Sequence, residues 1–170
     1  MPFVPDWVAD VDGEVVVSYL TTQVASLKVQ HKNNVIVDVD WCFQSASDDS
    51  QPDNSKQITS LLQIQLNAHW QNPEVSIAIK LLRQGTPYQQ SVWQALTTIP
   101  AGQTLTYAEL AKRLNSSPRA VGNALRANPY PLFIPCHRIV AKNGLGGYCG
   151  ELTGGFVDIK QQLLAFETRK

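Results

Sequence analysis

The chain has 170 residues and a mass of 18.8 kDa, enough for one domain or for two small domains that share an interface. Apolar residues make up 44% and charged residues 16% of the sequence, which predicts a packed core and excludes global disorder. The formal net charge is zero, but residues 1–84 carry five basic and ten acidic side chains, whereas residues 85–170 carry nine and four. Only the second half is therefore expected to meet an anionic partner.

The three cysteines, Cys42, Cys136 and Cys149, form neither a disulfide framework nor a metal-knuckle pattern, which is typical of a reducing cytosol. The N-terminus lacks the basic start and apolar stretch of a secretory signal. No apolar run approaches the roughly 20 residues of a membrane span. We therefore expect a cytoplasmic protein without membrane contact, associated with the nucleoid if the source is bacterial.

The first half of the chain has the pattern of an antiparallel β-meander followed by a helix. Three runs rich in Val and Ile are separated by short polar turns, and a polar loop precedes a stretch with helical apolar spacing. The predicted strands cover 14–20, 24–30, 34–43 and 75–79, the loop 45–55, and the helix 56–70. We predict an N-terminal α/β domain over residues 1–84.

The second half is predicted to be mainly helical. Thr86 and Pro87 form a good start for one helix, and Thr106 with Glu109 has the capping-box pattern that opens another, ending near Leu114. Ser117 then caps a helix over 119–127. Two short helices joined by a tight turn in the basic half indicate a helix-turn-helix. A last helix is predicted over residues 158–167, and the whole second domain over 85–170.

The helix predicted over 119–127 has an unusual composition. Arg119 and Arg126 lie seven residues apart, which is two helical turns, and most residues between them are small. Small residues allow close approach of another surface, and two cations on one side suit phosphate groups. A packed core helix with two solvated arginines explains the same pattern, and the sequence leaves both interpretations open.

The Cys136-His137 pair lies between a proline-rich entry and a glycine-rich exit. A nucleophilic thiolate needs a lowered pKa, which a neighbouring histidine can provide. Adjacent side chains of an extended strand point to opposite faces, so His137 acts on Cys136 only if the backbone turns there or a water bridges them. Glu167 on the last helix is a candidate for orienting the imidazole. On pattern alone, a structural cysteine remains the more common alternative.

Several spaced motifs go further than this pattern. The segment Ile134-Pro135-Cys136-His137-Arg138-Ile139-Val140 closely resembles the active-site signature of the O6-alkylguanine-DNA alkyltransferases, the methylated-DNA–protein-cysteine methyltransferases. Residues 119–129 resemble the recognition helix and asparagine hinge of that family, and residues 85–93 and 99–102 resemble its domain entry. The resemblance covers residues 85 to 167, and the first half matches only in general plan.

The resemblance implies a fold and a reaction. In this family an α/β domain of ribonuclease-H-like topology precedes a helix-turn-helix, winged-helix-like catalytic domain. The expected activity is transfer of an alkyl group from O6-alkylguanine, and secondarily O4-alkylthymine, in double-stranded DNA to Cys136. The resulting thioether is stable, so each molecule is expected to act once, as a monomer and without metal or organic cofactor. The DNA is expected to be bound in its minor groove with the target base flipped out.

The resemblance also implies roles for individual residues. Cys136 would accept the alkyl group, His137 would deprotonate it through a water, and Glu167 would orient the imidazole. Asn128 would hold the active-site turn. The remaining implied residues are Tyr107, which would rotate the target nucleotide, Arg119, which would fill the gap in the duplex, and the substrate-binding set Tyr148, Arg126, Gly122, Pro131, Val140 and Gly147.

Residues 149–155 form a longer link than the family usually has between Tyr148 and the last helix, which leaves the width of the alkyl pocket open. Cys149 is uncommon at its position. It is interpreted as a small buried residue, with an oxidisable neighbour of Cys136 as the alternative.

Rival interpretations carry less weight. A non-reactive damage sensor of the alkyltransferase-like kind would lack Cys136, and a fused transcription regulator would need a further cysteine cluster. Asp38 with Asp40 as a cation site is disfavoured because no third carboxylate lies in a comparable motif. A zinc site of His31, His69 and Cys42 is disfavoured because their spacing fits no metal knuckle.

Overall fold

The computed structural model describes residues 3–43, 53–72 and 75–169, with side chains described from residue 56 onward in the helix that begins at 53. The contacts between Cα atoms divide the chain into two compact units. The first unit ends at Arg83 and the second begins at Gln84.

The first unit is a five-stranded mixed sheet with one helix. Its elements are β1 (Phe3–Val8), β2 (Val16–Thr21), β3 (Ser26–Lys32), β4 (Val35–Cys42), α1 (Asp53–Gln71) and β5 (Ile77–Leu82). The strand order is β1-β5-β4-β3-β2. Strands β2, β3 and β4 form the predicted antiparallel meander, whereas β5 pairs in parallel with both β1 and β4. The α/β prediction for this half is confirmed at the level of a mixed sheet with a helix.

The predicted antiparallel meander is present, but strand β1, which adds a parallel edge to the sheet, was not predicted. Pro5 and Asp6 interrupt its apolar pattern and lower its strand propensity. Strand β1 lies at the edge of the sheet. Proline lacks a backbone N–H and is tolerated in edge strands, because their outer side has no neighbouring strand to bond. The predicted loop over residues 45–55 lies largely outside the described residues.

Alternating strand residues and one face of α1 form the core of this unit. Leu27, Val29, Val39 and Leu81 are buried almost completely, and Leu66 packs from the helix. A buried hydrogen-bond network also includes His31, whose Nδ1 contacts the carbonyl oxygen of Asn33 and whose Nε2 contacts Ser18 Oγ. No group of three or more His, Cys, Asp or Glu side chains among the described residues is arranged to hold a metal ion.

The second unit is mainly helical, as predicted. Its elements are α2 (Pro87–Thr97), β6 (Leu105–Thr106), α3 (Tyr107–Arg113), α4 (Pro118–Arg126), a 3₁₀ turn (Cys136–Arg138), β7 (Ile139–Val140) and α5 (Gly155–Glu167). Strands β6 and β7 form a short parallel pair. No helix in the described part of the chain is both long and apolar enough to span a bilayer.

Three predicted helix starts are confirmed. The side chain of Thr86 accepts a hydrogen bond from the backbone N–H of Gln89, and Thr106 does the same for Glu109; both motifs are complete capping boxes. Ser117 caps α4 by accepting from the N–H of Ala120. These caps satisfy backbone donors that the helices themselves leave unpaired.

Helix α4 is held by α2 and α3. The indole N–H of Trp93 in α2 donates to the carbonyl oxygen of Ala124 at 2.9 Å, and the Tyr88 hydroxyl lies 2.6 Å from Ser116 Oγ just before α4. Val121 and Ala124 are buried on this inner side, while Arg119 and Arg126 are exposed. The arginines of α4 are therefore available to a partner. The small residues of the helix lie on both its buried side and its solvent-facing side.

Candidate active site

Cys136 is held in place by a proline-rich segment and one asparagine. Its backbone N–H donates to the carbonyl oxygen of Ile134 at 2.7 Å. Asn128 Nδ2 donates to the same oxygen at 3.0 Å and to Cys136 Sγ at 3.2 Å, while Asn128 Oδ1 accepts from the N–H of Tyr130 at 3.1 Å. The side chain of Asn128 therefore ties both ends of the segment together and places the sulfur.

Cys136 is almost fully buried, and burial raises the pKa of its thiol above the ordinary value. Hydrogen bonds from Asn128 and Tyr148 and the positive charge of Lys160 act in the opposite direction and are smaller together. The resting sulfur is consequently a thiol at neutral pH. A reaction at this sulfur requires a base that removes the proton.

His137 lies directly behind the cysteine, in the same 3₁₀ turn. The backbone turns here and is not an extended strand, so the two adjacent side chains are not forced onto opposite faces. His137 Nε2 donates to Glu167 Oε1 at 2.8 Å. The same carboxylate accepts from Arg138, through Nε to both oxygens at 3.1 Å and through Nη2 at 2.7 Å. Glu167 therefore orients His137, and Arg138 orients Glu167.

The surroundings shift the pKa values of both Glu167 and His137. Burial raises the pKa of Glu167, but the hydrogen bonds from His137 and Arg138 outweigh it and hold that pKa well below its ordinary value. Burial lowers the pKa of His137, against the opposing effect of Glu167, so the imidazole is neutral at pH 7. Because Nε2 carries the proton that is donated to the carboxylate, Nδ1 is the basic nitrogen. That Nδ1 is buried and has no hydrogen-bond partner among the described residues.

A cavity of about 200 Å³ opens over the cysteine. Its lining comes from α3, α4 and the glycine-rich segment before α5, and comprises Tyr107, Gly122, Leu125, Arg126, Cys136, Gly147, Tyr148, Cys149, Gly150, Glu151 and Leu152. Tyr107 OH donates to the carbonyl oxygen of Gly147 at 3.4 Å across this space. The arrangement presents the buried, protonated thiol of Cys136 together with a neutral imidazole next to it in the chain. Cys149, the second cysteine of the lining, is exposed, so its interpretation from the sequence as a buried residue was wrong.

Comparisons with known proteins agree with this geometry. Residues 87–169 match the family model described as the DNA-binding domain of 6-O-methylguanine DNA methyltransferase. The methylated-DNA–protein-cysteine methyltransferase of Archaeoglobus fulgidus is 37% identical over 106 residues, which are 61% of this chain and 71% of that protein. The crystal structure of Mycobacterium tuberculosis O6-methylguanine methyltransferase superposes with a TM-score of 0.67 at 30% identity, covering 89% of this chain and 93% of that one.

The chain belongs to the methylated-DNA–protein-cysteine methyltransferase family. A structure of M. tuberculosis OGT in complex with DNA is similar as well, with a TM-score of 0.65 and 32% identity over 88% of this chain and 91% of that one. Three further curated members align over only 37% to 64% of their own length.

The residues expected from the family resemblance fall into three places. Tyr107, Gly122, Arg126, Gly147 and Tyr148 line the cavity together with Cys136. Asn128, His137 and Glu167 lie beside or behind Cys136. Arg119 is exposed near the start of α4, outside the cavity lining, and neither Pro131 nor Val140 is among the described residues that form this lining. The functional roles assigned to these residues stay predictions.

Two buried cations at the site were not singled out from the sequence. Arg138 directly follows the Cys-His pair and, besides binding Glu167, donates from Nη1 to the carbonyl oxygen of Ile99 at 2.6 Å. Lys160 Nζ donates to the carbonyl oxygens of Ile139 at 2.6 Å and Gly147 at 2.9 Å, and burial lowers its pKa to about 8. The burial of Lys160 could have been predicted from the sequence, because its spacing from Leu163 and Glu167 places all three on the inner face of α5.

Proposed function

We propose that this protein repairs DNA by direct reversal, moving an alkyl group from the O6 atom of a guanine to the sulfur of Cys136. The observation that supports this most is the buried thiol of Cys136 in a cavity, with Asn128 holding the sulfur and the hydrogen-bonded His137–Glu167 pair following it. Family membership supports it independently, since relatives carry the name of this activity. Each protein molecule would act once.

The reaction balances with the groups present. His137 Nδ1 takes the thiol proton, through one water if the nitrogen and sulfur are not in direct contact, and the thiolate attacks the alkyl carbon. A carbon–sulfur bond forms while the carbon–O6 bond breaks with its electron pair on the guanine, which stays in the DNA and takes up one proton in exchange for the one lost from the thiol. The Tyr148 hydroxyl is proposed to donate a hydrogen bond to the leaving base. The thioether is stable, and regenerating the thiol would need a nucleophile to accept the alkyl group, which this reaction does not supply, so transfer stops at one equivalent.

The DNA-binding role is proposed for the exposed side of α4. A guanine inside a duplex is out of reach of a buried sulfur, so the target nucleotide must leave the stack at a cost of a few kcal/mol. Arg119 is proposed to fill the gap in the duplex, and Tyr107 to assist rotation of the nucleotide. Support comes from the exposure of Arg119, from the small residues of α4, which suit the minor groove, and from the structure of a relative in complex with DNA.

We also propose a named topology for each of the two units. The ribonuclease-H-like label for the first unit is supported by its antiparallel meander followed by a helix and a parallel strand. The winged-helix-like label for the second unit is supported by α3, α4 and the β6–β7 pair. Activity as a monomer in the cytoplasm, and transfer from O4-alkylthymine, are proposed on family membership alone.

The decisive experiment measures the mass of the intact protein after incubation with a duplex that carries one O6-methylguanine. We expect the mass to rise by one methyl group in place of one hydrogen, to stop at one equivalent with excess DNA, and to map to the peptide that contains Cys136. Cys136→Ala, the matched control, should bind the same duplex and gain nothing. Binding without any mass gain in the native protein would contradict transfer and indicate a damage-recognition module.

A further inference from the structure

One side of the active-site cavity is a hairpin turn of defined geometry. Tyr148 and Glu151 exchange both backbone hydrogen bonds, at 2.8 and 2.9 Å. The two residues between them both have positive φ, 49° at Cys149 and 86° at Gly150. This combination is the type I′ turn, which closes two-residue hairpins and favours glycine at the second position. Part of the longer link seen in the sequence therefore has a defined backbone conformation and forms one wall of the cavity.

Two close contacts hold this turn in position. A Cβ atom on Gly147 would lie 2.5 Å from the carbonyl oxygen of Glu151, and a Cβ on Gly150 would lie 2.9 Å from Nε of Arg126. Backbone therefore packs directly on backbone at Gly147, and the stem of Arg126 lies against the turn. The residue that follows the turn, Leu152, is placed by these contacts.

Leu152 is 82% exposed and is the most exposed large apolar residue in the described chain. Its side chain lies over Gly147, where Cδ2 would be 3.1 Å from an added Cβ, and it belongs to the same cavity lining as Cys136. A side chain this exposed contributes little to the stability of the free protein. Its apolar surface is available to a molecule that occupies the cavity.

We propose that Leu152 selects substrates by contacting O6 substituents longer than methyl, through apolar aliphatic contact at the rim of the cavity. The inference rests on the proposed alkyl transfer. The reacting carbon must lie against Cys136 Sγ at the base of the cavity, so a methyl group ends there. A longer chain continues from that carbon along the wall formed by residues 147–152 and reaches the rim, where Leu152 loses solvent-exposed surface.

The test compares single-turnover rate constants for duplexes that carry O6-methylguanine or O6-(n-butyl)guanine. Leu152→Ala should lower the rate constant for the butyl duplex about tenfold, the lower end of the range for one lost apolar contact in a pocket. Any loss on the methyl duplex should be smaller, so that the ratio of the butyl to the methyl rate constant falls. Leu152→Asn, similar in size but polar, should behave like the alanine variant if apolarity is what matters.

Leu61→Ala is the matched control, because Leu61 is 56% exposed on α1 and is not part of this cavity. It should change neither rate constant, and thermal unfolding should show that all three variants are folded. An equal loss on both duplexes, or no loss on the butyl duplex, overturns the role of Leu152 while leaving alkyl transfer intact. Absence of methyl transfer by the native protein overturns the proposed function itself, and this inference with it.

Discussion

The carboxylate of Glu167 is the partner of two buried side chains at once. It accepts from His137 on one side and from two N–H groups of Arg138, Nε and Nη2, on the other, and the backbone N–H of Gly102 donates to its second oxygen at 3.1 Å. A buried ion pair is stabilising only while every partner is present, since removal of one leaves a charge unpaired in a low dielectric. Positioning of the imidazole and stability of the domain therefore depend on the same atoms.

Glu167→Gln is expected to affect stability and rate together. The free energy of unfolding should fall by about 3 to 5 kcal/mol because Arg138 keeps its charge without a counter-ion. The methyl-transfer rate should fall on the order of 10²-fold, the lower range for loss of a positioned base. Chemical denaturation and single-turnover assays measure the two effects. Glu14→Gln, an exposed change in the first unit, serves as the control and should alter neither.

The pH profile separates a positioning role of Glu167 from a purely structural one. The pKa of His137 is lowered, so the native transfer rate should be constant near neutrality and fall only below the ordinary histidine value of about 6.5. Glu167 acts to raise that pKa, so its loss in Glu167→Gln should move the acid limb to still lower pH. An acid limb that stays at the native pH would contradict this coupling. Glu167→Asp provides a second variant if the glutamine variant does not fold.

The two faces of helix α4 have different roles. Val121 and Ala124 are buried toward α2 and α3, which fits the interpretation as a packed helix. Gly122 belongs to the cavity lining, and a Cβ there would meet only Tyr107 Cε1 at 4.0 Å. The space beside Gly122 is therefore not required by packing within the protein, which leaves it for a ligand.

Gly122→Ala is expected to produce effects of opposite sign on stability and repair. The free energy of unfolding should rise by about 0.5 to 1 kcal/mol, because alanine restricts the unfolded chain and favours the helix. The transfer rate on a duplex should fall, because the new methyl group occupies the ligand side of α4. Ser60→Ala in α1, another substitution that favours a helix, should leave the rate unchanged. A stabilised Gly122→Ala variant with full activity would exclude close approach of DNA at this point.

At the scale of the whole molecule, charge is divided between the two units. Nine basic and four acidic residues lie in 85–170, and the acidic excess lies in 1–84. Contacts with phosphate release counter-ions, so each contact contributes about −0.9 to the slope of log K against log salt concentration. Binding to DNA should therefore weaken steeply with salt and be carried by the second unit.

Arg119→Ala is expected to weaken duplex binding and to make the salt slope shallower by up to about one if the guanidinium contacts phosphate. If the guanidinium instead fills the gap in the stack, repair of the duplex should fall more than binding does. Fluorescence anisotropy at several salt concentrations and transfer assays measure both quantities. Lys80→Ala, which removes an exposed cation from the first unit, should change neither. Undiminished repair by Arg119→Ala would refute the role of this residue in flipping.

The sequence alone determined the family, the mainly helical second half, the helix caps and the nucleophile candidate. Each of these depends on local residue order, as in the capping boxes at Thr86 and Thr106 or the Cys136-His137 motif. The proline-containing edge strand β1 was missed because its local propensity is poor, and it forms through pairing with β5 and burial of Phe3. The extent of the sheet is a property of contacts that are distant in sequence.

Only the tertiary structure shows which side chains of the site bind one another. Glu167 lies 30 residues from His137 in sequence, and the sequence suggested this pairing but could not place Arg138 between Glu167 and Ile99. It also could not show that residues 148–151 form a tight turn against Arg126, which exposes Leu152 at the cavity rim. Hydrogen bonds, burial and pKa shifts of this kind arise only when separate segments pack together and exclude water.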